Sequence, residues 1–331
     1  MRIFGWAADD AGPGFYRLRV PFGELQQHGY DTAVSTVMPD WVLEEADTIV
    51  GQRVCQPGAT ERWRRLAAGH YGRRPQLVFE LDDDLWHIDP SNTPAWAFYH
   101  SNSELLDNLT ECARLADMCT VTTEPLAEVV RKINPNVVIL PNQLPASAYG
   151  TVRGPVGPNL TVGWAGGASH ALDVAEVTPA LRQHFRRYPD DTFMNMGTLF
   201  GKVATAVPGS SRVDLPWTLD MNEHYARLDD LDVGLAPLRA SVFNQSKSEL
   251  KFLEYAARGA VTIASDSGPY ARTILDGETG VLVRQPHEWT RSLRWMREPE
   301  ERTYIASVAT AYAHTRSIEN HWQGWEAVYT T

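Results

Sequence analysis

Short apolar runs alternate with longer amphipathic stretches along the whole chain, and the alternation starts afresh near its midpoint. In the first half, strand-like runs at 2–7, 32–35, 77–81, 118–122 and 137–140 are separated by helix-like stretches at 16–28, 60–68, 103–116 and 125–132. A tight turn cannot join parallel strands, so this order predicts βαβ units and a parallel sheet with helices on both faces. Residues 141–158 then hold four prolines and three glycines and keep neither period, which marks a linker. The second half restarts with a strand at 160–164, a glycine turn and an amphipathic run to 187. Further strands follow at 191–196, 212–215, 233–236, 261–264 and 281–283. The last thirty residues read as helix, with Trp322 and Trp325 on one face that packs.

Of the 331 residues, 43% are hydrophobic and 21% charged, which excludes disorder, collagen and a small disulfide scaffold. Acidic residues outnumber basic ones 41 to 30, and the resulting charge of −11 disfavours sequence-independent binding to nucleic acid. A local basic groove around Arg62, Arg64, Arg65, Arg73 and Arg74 is the feature that would keep DNA open as a partner. Cys55, Cys112 and Cys119 cannot all pair and lack zinc or redox spacing, so they read as buried small residues in a reducing cytoplasm. No signal-peptide apolar region opens the chain, and no run is long enough for a membrane span.

Candidate chemistry concentrates in 232–270. Ser246 with Glu249 three residues on has the form of a capping box. Gly259 stands where a left-handed C-cap belongs, and Leu250, Leu253 and Ala257 form the buried stripe between. Lys247, Lys251 and Glu254 share a neighbouring stripe at i, i+4 and i+7. Two cations at a helix start, where the dipole is already positive, invite an anion. Lys247, the Ser246 and Ser248 hydroxyls and the first-turn amides suit a diphosphate, and Glu254 suits ribose hydroxyls. A solvated face with a Lys251–Glu254 surface pair is the plainer alternative.

The run LKFLEYAARGAVTIAS resembles the donor-site motif of glycosyltransferase family 4, retaining enzymes of the GT-B fold. The resemblance implies two Rossmann-like domains facing across a cleft: 1–150 on the acceptor side, 151–310 binding a nucleotide sugar, and a helix at 311–331 crossing back. Family members carry two glutamates separated by seven residues. Glu254 matches the second, whereas Ser246 stands where the first would be. Asn244, Ser246, Lys247 and Ser248 are similar to a variant that includes bacteriophage-encoded enzymes. Gly166 and Gly167 open the second unit where the family loop approaches the donor phosphates, with His170 beside them. Gly12 and Gly14, followed by Arg17 and Arg19, resemble the acceptor-side loop; a tight turn with two surface arginines is the alternative.

The implied activity is transfer of a sugar from a UDP- or GDP-type donor to a hydroxyl of a glycan or of a protein, which for a phage enzyme would be a virion protein. No further cofactor and no divalent metal are expected. A DNA-base glycosyltransferase, a nucleotide-sugar epimerase and a non-catalytic sugar-binding protein are the alternatives. Asp82, Asp83 and Asp84 follow a strand and, with Lys247, are the candidate catalytic groups. They orient an acceptor hydroxyl or donor sugar, or cap a loop; gripping a metal through Asp82 and Asp84 would belong to a different architecture. His87 and His100 lie late for the histidine that family members carry near this strand. Of eleven tryptophans most should be core; Trp217 is the candidate near the base, and Trp86 and Trp96 are candidates to flank the acceptor.

Overall fold

A computed structural model of the chain describes residues 1–101, 103–150 and 158–331; residues 151–157 of the expected linker lie outside the described residues. Two six-stranded sheets, every pairing parallel, form the framework. The first comprises β1 (Arg2–Trp6), β2 (Asp31–Ser35), β3 (Thr48–Gln52), β4 (Gln76–Leu81), β5 (Met118–Val121) and β6 (Val137–Ile139), in the order β2-β1-β3-β4-β5-β6. The second comprises β7 (Thr161–Gly166), β8 (Thr192–Gly197), β9 (Arg212–Leu215), β10 (Val233–Ala236), β11 (Val261–Ser265) and β12 (Val281–Val283), in the order β12-β11-β10-β7-β8-β9. Strand order reverses between β1 and β3 and again between β7 and β10. Such points leave a crevice at the carboxyl ends of the strands, where α/β proteins bind ligands.

β3 has no counterpart among the strands expected from the apolar pattern. It is short and ends in Gly51 and Gln52, yet every residue of it is buried in the middle of the sheet. Helices cover both faces of each sheet, and apolar clusters fill the four interfaces. All three cysteines are buried and unpaired. The Trp322–Tyr329 helix packs on the first sheet, with Trp325, Val328 and Tyr329 against Ile3, Phe22, Val50 and Val78. Trp322 stacks on His28 at 3.7 Å.

The stretch after β6 is better packed than its composition suggests. Asn142, Gln143 and Leu144 are buried, and Leu144 pairs with the chain at Arg316 and Ile318. No helix among the described residues is long and apolar enough to cross a membrane. The expected basic groove is not one, because its arginines are spoken for locally. Arg64 pairs with Glu111, Arg65 with Glu61, Arg73 with Asp47 and Arg74 with Asp117, and Arg62 donates to the Met38 carbonyl.

Candidate functional site

A cavity of about 270 Å³ lies between the two sheets and takes its walls from both. From the first lobe come Gly12, Pro13, Tyr16 and Arg17 after β1, Asp82 and Asp83 after β4, and Asn142 after β6. From the second come Gly166 at the end of β7 and His170 after it, Trp217 after β9, and Lys247, Ser248, Lys251 and Glu254 around a helix start. The carboxyl ends of both sheets therefore face one space, as the switch points require.

That helix begins later than its sequence suggests. It runs Leu250–Ala257 with Glu249 as N-cap, and Gly259 follows its end at φ +77°. The expected capping box is absent because Arg316 takes the Glu249 carboxylate at 2.6 Å, an ionic bond that a backbone amide cannot match. Burial is not confined to a stripe either: residues 252–257 are all buried, enclosed by β10, β11 and the Pro299–His314 helix. Ser246 ends the preceding turn and is buried outside the cavity; its carbonyl accepts from Thr123 Oγ1 at 2.7 Å. Asn244 also lies outside this wall, in a smaller adjoining crevice, where it donates to the Arg239 carbonyl at 2.9 Å. The asparagine that lines the cavity is Asn142, from the first lobe, whose amide donates to Ser248 Oγ at 2.8 Å.

Charge in the cavity is arranged across the lobes. Lys247 Nζ lies 3.0 and 3.1 Å from the two oxygens of Asp83 and 4.4 Å from the centre of the Phe243 ring. Lys251 has no ion-pair partner among the described residues, and burial holds its ammonium below the usual lysine range. Burial alone would raise the Glu254 carboxyl, but His224, the Tyr16 hydroxyl and Lys251 together hold it below its ordinary value. Tyr16 donates to Glu254 Oε1 at 2.6 Å.

His170 is pushed down to about 4 by burial and by the ammonium groups of Lys251 and Lys247. Its Nδ1 lies 2.9 Å from Asp173, and a carboxylate only accepts, so Nδ1 carries the proton. The neutral ring is left with Nε2 as an acceptor, which suits a hydroxyl better than a phosphate oxygen.

The aspartate cluster divides. Asp82 and Asp83 line the cavity, and burial pushes the Asp82 carboxyl up despite Arg53 Nε at 3.6 Å. Asp84, contrary to expectation, is no part of the site: it is fully buried and bonded to His87 Nδ1 at 2.8 Å. Among the described residues no group of three or more metal-ligating side chains gathers.

Gly14 is outside the cavity wall but fits its turn for a steric reason, since a Cβ there would lie 2.1 Å from the Asp9 carbonyl oxygen. Gly167 stands just beyond the lining residues. Arg17 is no surface arginine. It is 1% exposed, bonded to Glu80 at 2.6 and 3.2 Å, to the Leu140 carbonyl and to Asn142. Trp217 is 56% exposed on the cavity wall. Trp86 and Trp96 lie outside it; one donates to Thr110 and the other stacks on His100.

Sequence reasoning missed Tyr16, His224 and Asn142. Nothing local marks them, because their partners lie 238, 30 and 106 residues away.

No protein-family model matches the sequence, and no curated protein matches it. Solved structures do match in fold. Anabaena Alr3699/HepE in complex with UDP is 16% identical with a TM-score of 0.69, each chain covered in full. Sucrose-phosphate synthase from Thermosynechococcus elongatus is 13% identical with a TM-score of 0.70, covering 100% of this chain and 98% of that one. The pneumococcal O-GlcNAc transferase GtfA in complex with UDP and GlcNAc is 12% identical with a TM-score of 0.63, over 86% of this chain and 56% of that one. With its two parallel six-stranded sheets, the chain has the GT-B fold of these glycosyltransferases.

Proposed function

We propose that the chain transfers a sugar from a nucleoside diphosphate sugar to an acceptor hydroxyl, with retention at the anomeric carbon. The observation that carries this reading is the cavity wall formed by Lys247, Ser248, Lys251 and Glu254 opposite Asp82 and Asp83. The amides of Ser248 and Glu249 make no hydrogen bond among the described residues, and they precede a helix whose dipole favours an anion. With two ammonium groups beside them they would hold the diphosphate and stabilise its charge as the glycosidic bond breaks. Glu254 would take the ribose hydroxyls, Trp217 would lie near the base, and Gly166 would let the chain approach the phosphates.

UDP and UDP-glucose occupy structures of HepE, whose fold this chain shares, which supports a donor of UDP type. Retention and membership of family 4, including its phage-encoded variant, rest on the resemblance over roughly 228–285. Asp82, Asp83 and His170 offer hydroxyl-binding groups where donor sugar and acceptor would meet. The acceptor is a hydroxyl of a protein or glycan; DNA is disfavoured because the arginines that would have gripped it are paired with neighbouring acids. Residues 1–150 would serve the acceptor and 151–310 the donor.

Titration calorimetry with UDP and GDP tests the reading. Binding of one of them is expected, with Lys247→Ala weakening the diphosphate more than the nucleoside; failure of the folded protein to bind either defeats the proposal. Incubation with a donor and acceptor panel then separates transfer from epimerisation, which consumes donor without an acceptor-linked sugar.

A further inference from the structure

The chain after β1 coils without a break from Gly12 to Gln27, but the turn Phe15–Arg19 is π-helical. The Val20 amide reaches back five residues to the Phe15 carbonyl. Pro21 accounts for this: it has no N–H to offer the Arg17 carbonyl, and its ring crowds that oxygen. Tyr16, Arg17 and Leu18 are buried in succession along this wider turn, because it runs between the two lobes. Leu18 enters the core of the first lobe, while Tyr16 enters the core of the second, beside Tyr225 and Leu253.

The Tyr16 hydroxyl has one proton, given to Glu254 Oε1 at 2.6 Å; Tyr225, also at 2.6 Å, therefore donates to the Tyr16 oxygen. His224 Nε2 approaches the same Oε1 at 3.4 Å. Both of these contacts fall on one carboxylate oxygen, and Oε2 accepts no hydrogen bond among the described residues. Glu254 is 7% exposed, and it lines the cavity.

We propose that Tyr16 is a positioning residue for the donor: by holding Glu254 Oε1 from the first lobe it presents Oε2 to the ribose hydroxyls, so ribose recognition depends on contact between the lobes. This rests on Glu254 being the ribose ligand. Tyr16 touches the carboxylate and acts through it.

The test is calorimetry of wild type and Tyr16→Phe with UDP and with 2′,3′-dideoxy-UDP, and with GDP and its dideoxy form in parallel. Phenylalanine keeps the ring and loses the proton. Loss of a hydrogen bond to a charged group should weaken binding of the full nucleotide by about tenfold and the dideoxy form by less than about twofold. Equal losses for both forms would show a merely structural residue and overturn the inference, as would no loss. It also falls if wild type binds both forms equally, since Glu254 would not then hold the ribose. Should wild type bind no nucleotide, the proposed function fails and this inference with it, a result distinct from the others. Should Tyr16→Phe not fold, Tyr16→Met replaces it, a flexible apolar side chain that likewise gives no proton to Oε1; the same ribose-specific loss is expected, and its absence overturns the inference.

Discussion

Asp83 occupies the ammonium group that a donor diphosphate would need. Lys247 and Asp83 are each partly covered, with side chains 20% and 27% exposed, and their contact is doubly hydrogen-bonded at 3.0 and 3.1 Å. A buried hydrogen bond to a charged group contributes about 1.5–3 kcal/mol, but both side chains here still meet solvent that screens them, so the figure for an exposed ion pair, about 1 kcal/mol, applies. A diphosphate must break it and then sit beside the freed carboxylate. Both effects oppose binding, and Asp83→Asn removes the charge behind them. The variant should therefore bind UDP about fivefold more tightly than wild type, while uridine, which lacks the phosphates, binds as before. Calorimetry at two salt concentrations checks this, and the gain should shrink as salt screens the pair. An unchanged or weakened affinity for UDP would refute the reasoning, for it would mean that Lys247 does not meet the phosphates.

Other residues yield equally direct expectations. Glu80→Gln leaves the buried Arg17 guanidinium without its counter-charge and should cost about 3–5 kcal/mol of stability, read by urea unfolding. Trp217→Ala should weaken UDP by about 1–3 kcal/mol through lost base stacking. Pyrophosphate binding, measured by competition, should not change, and an equal loss would place the ring elsewhere. Because His170 titrates near 4 in the fold and near 6.5 when unfolded, the unfolded chain binds the extra proton between those values. Stability is therefore complete above that window and falls with acidification through it, by about 2 kcal/mol at pH 5. His170→Asn should flatten that part of a pH series of urea melts.

Much of the site is legible in the sequence because local pattern carries it. Lys247, Lys251 and Glu254 recur at helical spacing, and although the helix begins only at Leu250, all three line the cavity. Ser246 misleads because Ser and Glu three apart signal a cap only where no stronger partner competes, and Arg316 arrives from 67 residues away. The aspartate run shows the same limit. Three adjacent carboxylates are alike in sequence, yet Asp82 and Asp83 line the cavity while the backbone turns Asp84 into the interior, where it bonds the ring of the exposed His87.

Hydrophobic period alone determined the parallel α/β character, the twofold repeat of the pattern and eleven of the twelve strands among the described residues, since each such signal is set within a few residues by which side chains must leave water. Tertiary structure decided what meets across the cleft: Asp83 on Lys247, Asn142 on Ser248 and Tyr16 on Glu254. These pairings join residues more than a hundred positions apart. They depend on how two sheets are set against each other, and no local preference of the chain encodes that.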